Sequence, residues 1–560
     1  MTPMTTPPLL SVEGLTVEFL SAEGSFRATD TVSFDVHPGE TLVILGESGS
    51  GKSVSASAIM DLIERPPGRI ASGRIEYRGR DLESLPAAER RDLNGKRIAM
   101  IFQDPLAHLN PVYTVGWQIA ETFRAHGIAS GGEARRRAVD ILRRVGIAEP
   151  ESRFDQYPHQ FSGGQRQRIM IGMAIALEPE LLIADEPTTA LDVSVQAQIL
   201  DLIKRLQAEE GLAVIMITHD LEVAANMADR VIVMNGGKVV EAGEARQVFS
   251  DPQHAYTKLL MNALPHAKAD GAPPRAAKTE ADEAILEVRD LRKSYAMAPG
   301  IFRRPAELLA LKDVGFRLSA GETLGIVGES GSGKSTIAKI LMRLTPASNG
   351  SVSYRGADVL TMRGEALQRF RRKVQMVFQD PYSSMNPRMN VFSIVSEPWV
   401  IHDDILPKAK WRERAVELLE LVGLKAEHLD RYPHQFSGGQ RQRIAIARSL
   451  ASDPELLICD EAVSALDVSI QMQVITLLAD LRDRLGLAYI FITHDLPIVR
   501  HFADRILVMK NGEVVETGTT EAIFRNPQTA YTRELVNATP KPKWLSDNPP
   551  RAALEAGPAQ

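Results

Sequence analysis

Two stretches of this chain have the residues to hold a polyphosphate. Gly46-Glu47-Ser48-Gly49-Ser50-Gly51-Lys52-Ser53 and Gly328-Glu329-Ser330-Gly331-Ser332-Gly333-Lys334-Ser335 place glycine where backbone N–H groups must wrap closely round a phosphoryl group. Lys52 and Lys334 can bridge β- and γ-phosphates, and Ser53 and Ser335 can ligate Mg²⁺, with Thr336 next in line. Asp185-Glu186 and Asp460-Glu461 each supply two carboxylates. The first can hold the Mg²⁺ shell and the second can orient or deprotonate an attacking water. His219 and His494, both in Thr-His-Asp, can donate a hydrogen bond to a γ-phosphate, although a histidine there can also be structural. Gln103 and Gln379, in Phe-Gln-Asp-Pro, can sense Mg²⁺ and water from a movable loop. Ser162-Gly163-Gly164-Gln165 and Ser437-Gly438-Gly439-Gln440 each precede a helical stretch. The serine alone reads as a helix cap. The glycine pair is costly in backbone entropy unless something approaches closely, and a γ-phosphate is the natural candidate.

The elements that must carry these residues are short apolar runs. Thr41–Leu45 ends at the first phosphate loop, Leu181–Ala184 at Asp185 and Val214–Thr218 at His219; Thr323–Val327, Leu456–Cys459 and Tyr489–Thr493 repeat the pattern. Runs of this length suit parallel strands buried on both faces. Each reactive residue then stands just past a strand's carboxyl end, where open α/β sheets bind ligands.

The spacing repeats as well. Ser162 and Ser437, Glu186 and Glu461, and His219 and His494 are each 275 residues apart, the lysines 282 and the glutamines 276. The halves keep register from the Ser-Gly-Gly-Gln turn onward, and their length difference falls mainly between phosphate loop and glutamine, in segments that read as surface loops. The expected organisation is a domain over 1–264, a linker rich in Ala, Pro and charge over 265–284, a second domain over 285–540 and a disordered tail over 541–560.

Bulk properties narrow the class. A chain of 560 residues exceeds one hydrophobic core, since such cores rarely pass about 250–300 residues. Hydrophobic content of 44% and charged content of 24% are those of a globular protein. A net charge of −6 argues against nucleic acid as partner. The single cysteine, Cys459, excludes an internal disulfide or a cysteine-held cluster, suits a reducing cytosol, and reads as a small buried strand residue. Met1-Thr2-Pro3-Met4 lacks the character of a signal peptide. No apolar run approaches the roughly 18–20 residues that span a bilayer. Any membrane role is therefore expected to be peripheral, through partner subunits.

With these motifs in order, each half resembles an ATP-binding cassette ATPase domain. The resemblance implies an α/β fold: two tandem P-loop nucleotide-binding domains, each with a RecA-like parallel-sheet core, an antiparallel β subdomain and an α-helical subdomain. It implies a head-to-tail pair inside one chain. Lys52, Glu186 and His219 would be completed by Ser437–Gln440, and Lys334, Glu461 and His494 by Ser162–Gln165. Asp192 and Asp467, in Ala-Leu-Asp, would link the two sites. Phe19 and Tyr295 match the position of the adenine-stacking aromatic; Phe26 competes with Phe19, and any of these can be ordinary core. The family's usual leucine before the signature is Phe161 and Phe436 here. Both glutamates are present, so two hydrolytic sites are expected. Ala462-Val463-Ser464 in place of Pro187-Thr188-Thr189 suggests unequal kinetics.

Finer similarity points to the ATPases of peptide importers. Leu109-Asn110-Pro111 or Met385-Asn386-Pro387 after Phe-Gln-Asp-Pro, and Tyr-Pro-His-Gln before the signature, are typical of that group. Pro252–Thr257 and Pro527–Thr532 resemble its C-terminal motif, with Ala255 and Ala530 where proline is usual. The implied cofactors are ATP and Mg²⁺. The implied partners are two transmembrane permease subunits and, through them, an external solute-binding protein, at the cytoplasmic face of a bacterial inner membrane. The cargo stays open among peptides, glutathione, opines, nickel complexes and peptide antibiotics. The rival is a ribosome-associated double cassette, disfavoured because its usual long charged linker is missing.

Overall fold

A computed structural model of the chain describes residues 7–21, 24–189, 191–262, 284–296, 307–378, 380, 384–464 and 466–538. They fall into two compact units, one holding the described residues up to 262 and the other those from 284 onward. The expected linker lies outside the described residues except for Ala284, which opens a strand, and the expected tail lies outside them entirely.

The first unit contains β1 (Leu10–Ser21), β2 (Gly24–Val36), β3 (Thr41–Leu45), β4 (Gly68–Tyr77), β5 (Arg80–Asp81), β6 (Ile98–Ile101), β7 (Leu181–Asp185), β8 (Ala213–Thr218), β9 (Arg230–Asn235) and β10 (Lys238–Glu244). One sheet runs β2-β1-β4-β5 with antiparallel pairing; the other runs β10-β9-β3-β8-β7-β6. In the second sheet every neighbouring pair is parallel except β9 with the edge strand β10. The second unit repeats both sheets. Its strands are β11 (Ala284–Ala296), β12 (Glu307–Ser319), β13 (Thr323–Val327), β14 (Asn349–Tyr354), β15 (Ala357–Asp358), β16 (Val374–Val377), β17 (Leu456–Asp460), β18 (Ala488–Ile492), β19 (Arg505–Lys510) and β20 (Glu513–Thr519). The sheet orders are β12-β11-β14-β15 and β16-β17-β18-β13-β19-β20.

The expected strands form, with their ends moved by about one residue. β7 and β17 extend to include Asp185 and Asp460, so these carboxylates end a strand rather than follow it. All five residues of β3, β7, β13, β17 and β18 are buried. Alternate side chains serve two cores. In the second unit Ile458 and Ile490 pack toward the antiparallel sheet with Leu286 and Phe316, while Cys459 and Phe491 pack with helical residues such as Ile444 and Leu478. Full burial of one such aliphatic side chain contributes about 1.5–3 kcal/mol. Burial also pushes the Cys459 thiol up to about 12, which makes it an unreactive core group.

Helices 115–125, 131–144 and 163–175 form a helical layer on the first unit, and 391–401, 411–421 and 438–450 its counterpart. The halves differ in length where surface variation was expected. β4 has ten residues and β14 six. The longer β4 pairs along β1 as far as Phe19, opposite Gly68, whereas β14 stops at the Arg292–Asn349 pair, three residues short of Tyr295.

Candidate active site

Sheet order brings the reactive residues together. β3, β8, β7 and β6 are neighbours, so their carboxyl ends set the phosphate loop, His219, Asp185-Glu186 and Gln103 side by side along one edge. β13, β18 and β17 do the same for the second loop, His494 and Asp460-Glu461. Gln379 lies outside the described residues.

Each phosphate loop leads into an eight-residue helix, Lys52–Ile59 or Lys334–Leu341, whose N-terminal N–H groups favour an anion. Gly51 and Gly333 open those helices at φ 98° and 103°. A side chain on Gly46 would sit 2.4 Å from the Met234 carbonyl oxygen, and one on Gly328 2.2 Å from that of Met509. Glycine is therefore required by backbone packing before any ligand is considered. Ser50 and Ser332 are buried within the loops, and Gly49 and Gly331 face open space. Ser48 and Ser330 complete the turns. Lys52 Nζ donates to Gly46 O at 2.7 Å and Glu47 O at 2.9 Å; Lys334 Nζ donates to Gly328 O at 2.7 Å and Glu329 O at 2.8 Å. The loop's own carbonyls thus hold each ammonium in place.

Ser53 Oγ donates to Asp185 Oδ1 at 3.0 Å, and Ser335 Oγ to Asp460 Oδ1 at 2.8 Å. Burial raises both aspartates, and the adjacent glutamate adds to it, while the serine hydrogen bond opposes it. Hard oxygen donors in a buried, anionic corner fit Mg²⁺. Among the described residues no group of three or more His, Cys, Asp or Glu side chains could hold a metal ion by itself.

The glutamates stand on strained backbone. Glu186 and Glu461 have φ 46° and 49°, in the left-handed region that non-glycine residues rarely adopt, at a cost of about 1–3 kcal/mol. Their N–H groups bond to Ile217 O and Ile492 O, both at 2.9 Å, which pins the turn to the neighbouring strand. Glu186 Oε2 accepts from Gln103 Nε2 at 2.7 Å and Thr189 Oγ1 at 2.9 Å, and its Oε1 lies 3.0 Å from His219 Nδ1. Burial pushes the Glu186 carboxyl up, but His219, Thr189 and the Lys52 charge outweigh it, and the net shift is downward. In the second unit His494 Nδ1 is 3.7 Å from Glu461 Oε1. The His494 ring holds Glu461 below its ordinary range against burial, and Glu461 in turn raises His494. Each histidine is framed by its neighbours. Thr218 Oγ1 accepts from Asp220 N, and Asp220 caps the next helix through Glu222 N and Val223 N. Thr493 and Asp495 repeat the frame.

The signature turns form the expected helix caps. Ser162 Oγ accepts from Gln165 N at 3.3 Å while Ser162 N donates to Gln165 Oε1 at 3.2 Å, a reciprocal cap; Ser437 and Gln440 repeat it at 3.4 and 3.1 Å. The second glycine has a local cause that the sequence did not reveal. A side chain on Gly164 would lie 2.4 Å from Val195 Cγ1, and one on Gly439 2.3 Å from Ile470 Cγ2. Gly163 and Gly438 meet nothing nearer than Leu191 Cδ2 at 3.7 Å and Leu466 Cδ2 at 3.4 Å, and both are exposed. Only the first glycine of each pair keeps an open approach. Asp192 and Asp467 sit at the N-cap positions of helices Val193–Glu210 and Val468–Leu485.

The aromatic candidates separate. Phe19 is packed against the core, with Gly68 opposite it on the extended β4. Its cross-strand partner Phe26 is 63% exposed, and Tyr295, beyond the end of β14, is 39% exposed.

The profile of the ABC transporter family matches residues 29–189 and 311–464, and that of the oligopeptide/dipeptide transporter C-terminal region matches 240–286 and 515–556. The chain belongs to the ABC transporter family. It is similar to the peptidoglycan transport ATP-binding protein YejF of Agrobacterium fabrum, 46% identical over 95% of this chain and 96% of that protein. It is similar as well to the glutathione import ATP-binding protein GsiA of Escherichia coli K12, 46% identical over 98% of this chain and 92% of that one. A solved dimeric ATP-binding cassette, MJ0796 with ADP and Pi, is 31% identical over 42% of this chain and 98% of its own, at a TM-score of 0.38. The two units are ABC cassettes, and the chain binds and hydrolyses ATP in the manner of that family. The ribosome-associated alternative finds no support among these relatives. Among the described residues no helix is long and apolar enough to cross a membrane.

Proposed function

We propose that this ABC ATPase energises a membrane importer of peptides or peptide-like solutes such as glutathione, by closing its two cassettes over two ATP molecules. One observation carries the proposal: the same lysine, Ser–Asp oxygen pair and strained glutamate–histidine pair recur at the carboxyl edge of both sheets. The matched C-terminal region and the names of the relatives supply the direction and the cargo class.

In the first cassette the loop N–H groups of Gly46–Ser53 cradle the β-phosphate and Lys52 moves onto the β- and γ-oxygens. Ser53, Asp185 and Gln103 would hold Mg²⁺, which would supply positive charge to the phosphates; Ser335, Asp460 and Gln379 would be the second set. Glu186, ionised at neutral pH, orients a water for in-line attack on the γ-phosphorus and accepts its proton. The bond to the β-phosphate oxygen breaks, and ADP and phosphate leave. His219 fixes the glutamate and donates to the γ-phosphate. Lys334, Glu461 and His494 take the same roles in the second cassette. Adenine stacks on Tyr295 there; in the first, Phe26 has the open ring and Phe19 is covered. Ser437–Gln440 and Ser162–Gln165 each close the opposite site, with Asp192 and Asp467 at the seam, and closure excludes water.

Two permease subunits carry this motion across the membrane, from a solute-binding protein outside to the cytoplasmic face where this chain sits. Uptake of labelled glutathione or short peptides in a bacterium lacking this chain tests the reading. Loss of ATP-dependent uptake, restored by the wild-type chain but not by a Glu186→Gln/Glu461→Gln variant, is expected. Unchanged uptake of both cargo types would contradict it.

A further inference from the structure

The C-terminal segment of each cassette touches the phosphate loop through a tyrosine. Glu47 N donates to Tyr256 Oη at 3.3 Å, and Glu329 N donates to Tyr531 Oη at 3.3 Å. These tyrosines come from helices Ala255–Asn262 and Ala530–Ala538, outside the cassette profile and inside the transporter C-terminal match. The N–H of Glu47 and the carbonyl of Gly46 belong to one peptide unit. Its N–H meets Tyr256 while its carbonyl accepts from Lys52 Nζ at 2.7 Å. The Gly328–Glu329 peptide is held in the same way between Tyr531 and Lys334, also at 2.7 Å on the lysine side. Gly46 and Gly328 have φ 156° and 150°, a backbone conformation that side chains rarely allow.

The helices that bring the tyrosines are themselves anchored. Glu241 accepts from Gln253 N at 2.8 Å and His254 N at 3.0 Å, just before the first helix. Glu516 accepts from Gln528 N at 2.8 Å, Thr529 N at 3.0 Å and Thr529 Oγ1 at 3.1 Å before the second. Both glutamates sit on the last strand of their sheet, β10 or β20. A carboxylate on the sheet edge thus fixes the helix start, the helix places the tyrosine, and the tyrosine holds the peptide that seats the lysine. In the second cassette the Tyr531 ring is buried and carries Lys510 Nζ at 4.2 Å from its centroid.

We infer that Tyr256 and Tyr531 are positioning residues for ATP, acting through the Gly46–Glu47 and Gly328–Glu329 peptides to preorganise Lys52 and Lys334 for the phosphates. The C-terminal region then does more than extend the cassette; it sets nucleotide affinity. This rests on the ATP sites proposed above.

The test uses the full chain with Tyr256→Phe and Tyr531→Phe together, which removes two hydroxyls and keeps both rings. Loss of the hydroxyl's bond to the loop N–H is expected to raise the ATP KM and Kd about two- to tenfold, with kcat within about twofold and a melting temperature lowered by no more than about 4 °C. A purely structural role would lower the melting temperature and kcat together and leave KM in place; that result, or a KM and Kd equal to wild type, overturns the inference. Lys52→Ala/Lys334→Ala separates this from the site itself. If the lysine variant binds ATP as wild type does, the ATP-site reading fails. If only the lysine variant loses affinity, the site stands and the tyrosine role falls.

Discussion

The two cassettes repeat one sheet order, one phosphate loop and one set of candidate site residues, yet the hydroxyl three positions after the glutamate is used differently in each. Glu186 is engaged by Gln103, Thr189 and His219 at 2.7, 2.9 and 3.0 Å. In the second cassette Ser464 stands in place of Thr189, and its hydroxyl donates to the Glu461 backbone carbonyl at 2.9 Å instead of the side chain. His494 Nδ1 lies 3.7 Å from Glu461 Oε1 and still holds that carboxyl below its ordinary range. A change from Pro-Thr-Thr to Ala-Val-Ser leaves the fold untouched and redirects one hydroxyl. The difference between the two loops thus lies in a residue three positions beyond the glutamate, Thr189 or Ser464.

The largest test of this contrast is removal of the carboxylates. Glu186→Gln with Glu461→Gln is expected to keep ATP binding and to lower turnover about 10²–10⁴-fold. Of the single variants, Glu186→Gln is expected to cost more, because Thr189 donates to the Glu186 side chain whereas Ser464 donates to the Glu461 backbone. Equal losses in steady-state ATPase assays would erase the proposed asymmetry. Glycine substitutions come next. Gly164→Ala and Gly439→Ala force a side chain into Val195 and Ile470 and are expected to destabilise by about 1–3 kcal/mol, read as a fall in melting temperature. Gly163→Ala and Gly438→Ala have room within their own cassette, so they are expected to keep the melting temperature and lose turnover. Retained turnover would remove the open glycine from the site.

Much of this arrangement is legible in the sequence, because local patterns dictate it. Thr41–Leu45 reads as a buried strand from composition alone, and glycine spacing marks the loop that follows. Other features depend on residues far apart in the chain. Nothing near Gly164 announces that Val195 will press on it. Nothing near Phe19 shows that β4 runs long enough to cover it while the shorter β14 leaves Tyr295 open. Tyr256 stands 209 residues from Glu47, and Tyr531 202 from Glu329. The motifs around these tyrosines are visible in sequence, but their contact with the phosphate loop appears only when the last strand and helix fold back. Thr189 looked like one letter of a motif; its role depends on a side-chain rotamer.

Smaller effects sharpen the contrast further. Thr189→Ala is expected to lower turnover about fivefold by removing one hydrogen bond to a carboxylate, whereas Ser464→Ala, which leaves the Glu461 side chain's contacts in place, is expected to change it less than twofold. The reverse order would contradict the proposed asymmetry. The pH dependence of the second cassette is subtler. His494 is raised, chiefly by Glu461, so its contribution to stability is complete below its ordinary value of 6.5 and is lost as pH rises through the raised folded value. Glu461 is lowered, so its contribution is present above its ordinary 4.5 and is lost as pH falls through the lowered folded value. The wild-type melting temperature is therefore expected to decline as pH rises above 6.5, and His494→Gln to flatten that decline. Parallel curves for the two proteins would show that the pair carries no linkage.

In the mechanism proposed above, each cassette completes the other's ATP site. This is tested most directly by an experimental structure of the Glu186→Gln/Glu461→Gln chain with ATP and Mg²⁺. The prediction is that the Ser437–Gln440 turn meets the γ-phosphate held by Lys52, and the Ser162–Gln165 turn meets the one held by Lys334. Two bound nucleotides with neither turn from the opposite cassette in contact would contradict it.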